Sequence, residues 1–165
     1  MVVGFGPDGR YVASGTWQGD GVTIWDVATG RLVKELDAGG SASIGFSPDG
    51  RWLATSSISS IRLWDADAWT PLWQVPCASV IGRLAFSPDG QTLATMTSGS
   101  NLQLLDVTTG SSLVTLETNE DPAYVQDLSF HPDGERLAVS YGGDGIRIWD
   151  LGHIRRSLTA LGLGW

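Results

Sequence analysis

Four stretches of the chain alternate large apolar residues with small ones on the same schedule. Val3-Gly4-Phe5-Gly6, Ile44-Gly45-Phe46-Ser47, Leu84-Ala85-Phe86-Ser87 and Leu128-Ser129-Phe130-His131 each run large, small, large. Side chains of a strand point alternately to opposite faces, so this period of two predicts strands. The large residues are expected between layers, and the small ones where strands crowd together. Each stretch runs into Pro-Asp-Gly, at residues 7–9, 48–50, 88–90 and 132–134. Proline presets φ and glycine supplies a positive φ, which predicts a tight hairpin. A second strand follows: Tyr11-Val12-Ala13-Ser14, Trp52-Leu53-Ala54-Thr55, Thr92-Leu93-Ala94-Thr95 and Arg136-Leu137-Ala138-Val139. The third, Val22-Thr23-Ile24-Trp25, Ile61-Arg62-Leu63-Trp64, Leu102-Gln103-Leu104-Leu105 and Ile146-Arg147-Ile148-Trp149, stops each time at an Asp. Beyond the first three of these Asp residues come the turns Ala28-Thr29-Gly30, Asp67-Ala68-Trp69 and Thr108-Thr109-Gly110. A fourth strand is predicted through Leu32 to Leu36, Leu72 to Val75 and Leu113 to Leu116.

The turn prolines recur at spacings of 41, 40 and 44 residues. Self-similarity at this period, with four strands per unit and a Trp-Asp ending, marks a radial repeat architecture. The chain resembles the WD-repeat family of β-propellers over about residues 1 to 150. The resemblance rests on Pro-Asp-Gly together with Trp25-Asp26, Trp64-Asp65, Leu105-Asp106 and Trp149-Asp150. It implies an all-β fold of four-stranded antiparallel blades, in units 1–41, 42–80, 81–123 and 124–150. Residues 151–165 form a separate tail, in which Leu151, Ile154, Leu158 and Leu161 make one apolar stripe. A short helix is predicted over Ile154 to Leu161, stopping at Gly162 and folding onto the fourth blade or serving as a docking helix.

Two departures from the family pattern matter. Members often carry Gly-His before the first strand of a blade, and that His joins a network with a loop Asp, a Ser or Thr, and the third-strand Trp. The corresponding segments here, 37–43, 77–82 and 118–126, contain no His. Asp20 and Asp144 retain the loop position, whereas Ser59 and Ser100 replace it in units two and three. Blades lacking the network are expected to rely on apolar packing. The repeat phase is also offset: residue 1 falls inside a first strand, and the fourth unit has no fourth strand. An incomplete propeller is expected, the C-terminal part of a larger protein. Completion by a second copy, or a cap over the open blade faces, is the alternative. Similar tails end large bacterial proteins in which such repeats follow a signalling domain.

Composition narrows the function. A net charge of −8 opposes phosphate binding, which excludes a nucleic-acid partner as the expectation. Cys77 stands alone with His131 and His153, too few for a zinc site, and no cofactor or metal is expected. No apolar run reaches the length of a membrane helix, so no membrane partner is expected and the location is read as cytoplasmic. Of the 14 Asp residues, Asp8, Asp49, Asp89 and Asp133 share the hairpin turn, and Asp26, Asp65, Asp106 and Asp150 share the third-strand end. Repetition at equivalent positions is structural. Asp37, Asp67, Asp121 and Asp127 lack metal-loop spacing. His131 replaces Ser47 and Ser87 beside a turn and reads as a turn-capping residue. The chain is therefore read as no enzyme. Its expected function is a WD-repeat scaffold for protein or peptide partners, set against a propeller enzyme of lactonase-like type. Blade loops are the expected binding face, with Trp17, Gln18, Glu120, Asp121, Tyr124 and Tyr141 as aromatic and acidic contacts. Trp69 and Trp73 read either as packing residues or as a lateral contact site.

Overall fold

A computed structural model describes residues 2–15, 21–77, 83–98, 101–117, 125–141 and 145–164, apart from the side chains of residues 97, 98 and 141. The strands form four antiparallel sheets, each ordered as in the sequence. Blade one comprises β1 (Val2–Phe5), β2 (Tyr11–Gly15), β3 (Val22–Asp26) and β4 (Leu32–Leu36). Blade two comprises β5 (Ser43–Phe46), β6 (Trp52–Ser56), β7 (Ser60–Asp65) and β8 (Pro71–Pro76). Blade three comprises β9 (Leu84–Phe86), β10 (Thr92–Ser98), β11 (Asn101–Asp106) and β12 (Ser112–Leu116). Blade four has three strands, β13 (Val125–Phe130), β14 (Arg136–Tyr141) and β15 (Gly145–Asp150), and continues into the helix α1 (Leu151–Ala160).

The turns repeat down to single hydrogen bonds. In each Pro-Asp-Gly turn the glycine N–H closes onto the carbonyl three residues back, as from Gly9 to Gly6 and from Gly50 to Ser47, at 2.9 and 3.0 Å. The four glycines have φ between 71 and 75°, a region an L side chain adopts only with strain. Each turn Asp accepts the backbone N–H two residues on, from Arg10, Arg51, Gln91 and Glu135, at 2.9 to 3.1 Å. A second bond ties the far end of the third strand to this turn. Val27, Ala66, Val107 and Leu151 donate to the carbonyls of Arg10, Arg51, Gln91 and Glu135 at 2.8 to 3.0 Å.

Each blade packs face to face on the next, and three apolar clusters fill the spaces between them. Ala13, Val22 and Ile24 of blade one meet Ile44, Leu53 and Trp64 of blade two. Ala54, Ile61 and Leu63 of blade two meet Leu93, Leu105 and Val107 of blade three. Ala94, Leu102 and Leu104 of blade three meet Leu128, Leu137 and Val139 of blade four. The small first-strand residues Gly4 and Gly45 lie where the first strands of successive blades come close together. A Cβ on Gly4 would lie 3.6 Å from Ile44 Cδ1, and one on Gly45 3.7 Å from Leu84 Cβ. Glycine thus makes the hollow into which the next blade's large residue sits. The first strands of the blades are neighbours in the order β1, β5, β9, β13, and no comparable contact joins β13 to β1 among the described residues.

The helix begins three residues before the expected start, because Asp150 caps it: its carboxylate accepts the His153 N–H at 2.7 Å. Leu151 and Ile154 pack in the cluster between blades three and four. Leu161 lies beyond the helix and is exposed, so the apolar stripe ends at Leu158. Gly162, at φ 73°, follows the helix end.

Candidate interaction surfaces

The repeat positions that form the cores between blades also define the chain's two open faces. On the third strand, Val22, Ile61 and Leu102 are fully buried, as are Ile24, Leu63 and Leu104. Their counterparts in blade four, Ile146 and Ile148, are 74% and 66% exposed. On the opposite side of blade one, Val3 and Phe5 are 65% and 66% exposed, and Trp25 is exposed as well. Of the counterparts of Val3, Ile44 and Leu128 are buried and Leu84 is half-buried. A hollow of about 160 Å³ opens on the blade-four face, lined by Asp127, Leu128, Ser129, Ala138, Ser140 and Ile146.

Trp69 and Trp73 of blade two are packing residues. Trp69 is buried with its ring edge-on to Tyr11 of blade one, at 5.1 Å between centroids and 81° between planes. It holds a φ of 53° at the position occupied by Gly30 and Gly110. Trp73 donates from Nε1 to the Val107 carbonyl of blade three at 2.8 Å and lies against Gly110. Arg62 of blade two reaches the Asp37 carbonyl, and its Nε donates to Gln74 Oε1 at 3.1 Å.

The repeated carboxylates are held by turn donors. Asp26 accepts the Thr29 hydroxyl at 2.6 Å and its N–H at 2.8 Å, and these bonds keep its carboxyl below the usual range. Asp106 is lowered in the same way by the Thr108 and Thr109 hydroxyls. Burial is the largest influence on Asp49 and Asp89 and works against ionisation, but the Ser47 and Ser87 hydroxyls at 2.6 and 2.5 Å, the Arg51 and Gln91 N–H groups and the charges of Arg51 and Arg155 together outweigh it and lower both. Asp133 is pulled down to about 2 by the Arg136 guanidinium at 2.7 Å, with the Glu135 N–H and the His131 ring adding to it. His131 Nδ1 lies 2.9 Å from Asp133 Oδ2, on the turn where Ser47 and Ser87 stand in units two and three. Cys77 Sγ donates to the Ser57 carbonyl at 3.2 Å, and burial pushes its thiol up.

Of the residues expected on the loop face, Trp17, Gln18, Glu120, Asp121 and Tyr124 lie outside the described residues, as do the loop positions Asp20, Ser100 and Asp144. The backbone of Tyr141 ends β14, paired with Gly145 and Val125; its side chain is also outside the described set. The open-face residues Val3, Phe5, Ile146 and Ile148 were signalled by the repeat, as apolar positions at the two ends of an unclosed series.

The sequence model of the WD40 family, described as WD domain, G-beta repeat, matches residues 30–65 and 110–150. These two segments carry WD repeats. Among solved structures, hydrazine synthase from Kuenenia stuttgartiensis matches 92% of this chain with a TM-score of 0.79 and 19% identity, a likeness of fold alone. The chain spans 46% of the length of that protein's chain. No curated protein matches it.

Part of the WD-repeat network survives in blade two, where Trp64 Nε1 donates to Thr55 Oγ1 at 3.0 Å, both groups being buried. Blade three keeps the acceptor, Thr95, but carries Leu105 for the tryptophan; blade four keeps Trp149 but carries Val139 for the threonine. Both remaining polar atoms, Thr95 Oγ1 and Trp149 Nε1, are buried without a partner among the described residues. In these two blades each half of the pair is retained where the other has been lost.

Proposed function

We propose that this chain is a non-catalytic scaffold that binds protein or peptide partners in the cytoplasm, as part of a multidomain signalling protein. The observation that carries this reading is the exposure of Ile146 and Ile148 at positions whose three counterparts are buried. Exposed apolar surface of this extent on a packed sheet favours association. The non-catalytic part is supported by the carboxylates, since Asp26, Asp49, Asp89, Asp106, Asp133 and Asp150 are each engaged in holding a turn or helix end. The net charge of −8 favours partner segments of basic character. The loop residues Trp17, Gln18, Glu120, Asp121, Tyr124 and Tyr141 are the proposed second contact region.

Affinity capture with wild-type chain, Phe5→Asp and Ile148→Asp tests this. A different protein bound stoichiometrically by wild type, and bound at least roughly tenfold more weakly by the variants when remeasured pure, is the expected result. Equal binding by all three overturns the face reading. Turnover of a lactone panel by the purified chain overturns the non-catalytic reading.

A further inference from the structure

The two open faces are the two halves of one kind of contact. Between blades, a large first-strand residue sits on the small first-strand residue of the preceding blade: Ile44 on Gly4, Leu84 on Gly45, with Leu128 and Ala85 in one cluster. The next hollow in the series is at Ser129, over Ala138 and Ile146, and it lines the 160 Å³ opening on blade four. The one unplaced knob is Val3 on blade one.

The turns show the same series. A Cβ on Gly50 would lie 3.3 Å from Pro7 Cγ, one on Gly90 3.9 Å from Pro48 Cδ, and one on Gly134 3.9 Å from Pro88 Cδ. Each turn glycine abuts the proline of the preceding turn. Gly9 has nothing within 4 Å, although its conformation matches the other three. Pro132 is the only turn proline with no following turn in the series.

We propose that the blade-four face of one copy receives the blade-one face of a second copy. Val3 of each copy enters the hollow at Ser129 and Ala138 of the other, and Gly9 of each abuts the other's Pro132. Two identical contacts of this head-to-tail kind close a ring, with four blades from each copy. Eight blades lie within the usual range of the architecture. The occupant is a second copy because the required partner surface is already present on the chain, matched position by position to three contacts within it. The proposal rests on the open-face reading above and narrows it to self-association.

Sedimentation of the purified chain, with circular dichroism as the folding control, tests it. Wild type sediments as a dimer, whereas Val3→Asp and Ile146→Asp, which each place a carboxylate in the contact, weaken self-association by roughly a hundredfold. An equimolar mixture of the two variants restores a dimer, because one of the two contacts then has wild-type residues on both sides. A Val3→Cys, Ser129→Cys chain forms disulfide-linked dimers on oxidation, and it carries the test if either Asp variant is unfolded. A wild-type chain that stays monomeric at high micromolar concentration, a mixture that stays monomeric, or absence of the Val3–Ser129 cross-link overturns the proposal. A chain that stays monomeric yet captures a different protein through these faces overturns self-association and leaves the scaffold reading standing, whereas a dimer that captures none does the reverse.

Discussion

The Asp150 carboxylate accepts the His153 N–H at 2.7 Å, the same bond that Asp106 makes with the Thr109 N–H at 2.8 Å. Asp26 and Asp65 make it with Thr29 and Ala68. In three blades this bond folds the turn into a fourth strand, and in blade four it caps a helix. The Asp fixes the first turn after the strand, while the residues that follow decide what comes next. Ala28-Thr29-Gly30 and Thr108-Thr109-Gly110 supply a glycine with positive φ that reverses the chain. Gly152-His153-Ile154-Arg155 has no such glycine at that position and continues as a helix. Replacing Asp150 by Ala should cost about 1 kcal/mol of stability, as for other helix caps, and Asp150→Asn much less. Urea unfolding checks this; equal midpoints for wild type and Asp150→Ala would show that packing of Leu151 alone holds the helix start.

The orphaned pair in blades three and four gives a prediction of opposite sign. Thr55 and Trp64 show the geometry that a threonine at Val139 would adopt toward Trp149. Val139→Thr should therefore stabilise the chain by about 1 kcal/mol, the net value of a satisfied buried hydrogen bond. Thr95→Val, which removes an unpartnered hydroxyl, should stabilise by a similar amount. The reverse change in blade two, Thr55→Val, should destabilise, because it leaves Trp64 Nε1 as Trp149 is now. Thermal melts of the three variants read the signs directly, and a destabilised Val139→Thr would mean that the hydroxyl cannot reach the indole.

The strands and turns were legible because their signals are local and repeated: Pro-Asp-Gly, period-two alternation and the third-strand Asp each act within a few residues. The open faces were legible as a consequence of the repeat phase, but the individual knobs and hollows were not. That Gly4 receives Ile44 depends on how one blade sits on another, which alternation within a strand does not encode. Asp150 was readable as a strand end, and its second role as a helix cap was hidden by the first. Trp69 was ambiguous for a similar reason, since nothing in Asp67-Ala68-Trp69 shows that a tryptophan takes the backbone conformation of a glycine.

That conformation makes Trp69 a compromise between backbone and packing. A left-handed φ costs a non-glycine residue roughly 1 to 2 kcal/mol, while loss of a buried Trp costs about 3 to 5 kcal/mol. Trp69→Gly relieves the first and incurs the second, for a net loss of about 2 kcal/mol. Trp69→Ala keeps the strain and loses the ring contact with Tyr11, so it should be the less stable of the two. Denaturation midpoints should fall in the order wild type, Gly, Ala; an alanine variant as stable as the glycine one would show that the turn relaxes when the ring is gone.

The lowered carboxyl groups make stability depend on acid in a stated direction. Asp26, Asp49, Asp89, Asp106 and Asp133 all ionise more readily in the folded chain than an ordinary Asp does, Asp133 at about 2. A group whose folded pKa is depressed binds protons more weakly when folded, so its stabilising contribution is complete above the unfolded value of about 3.9. It is then lost as pH falls through the folded value. The melting temperature should be level above about pH 5 and fall steadily between about pH 4 and pH 2. Asp133→Asn should melt lower than wild type at neutral pH and lose less on acidification, because the turn no longer contains the carboxylate that binds Arg136. A wild-type melting temperature unchanged from about pH 4.5 to about pH 2.5 would show that these turn bonds contribute nothing to folding.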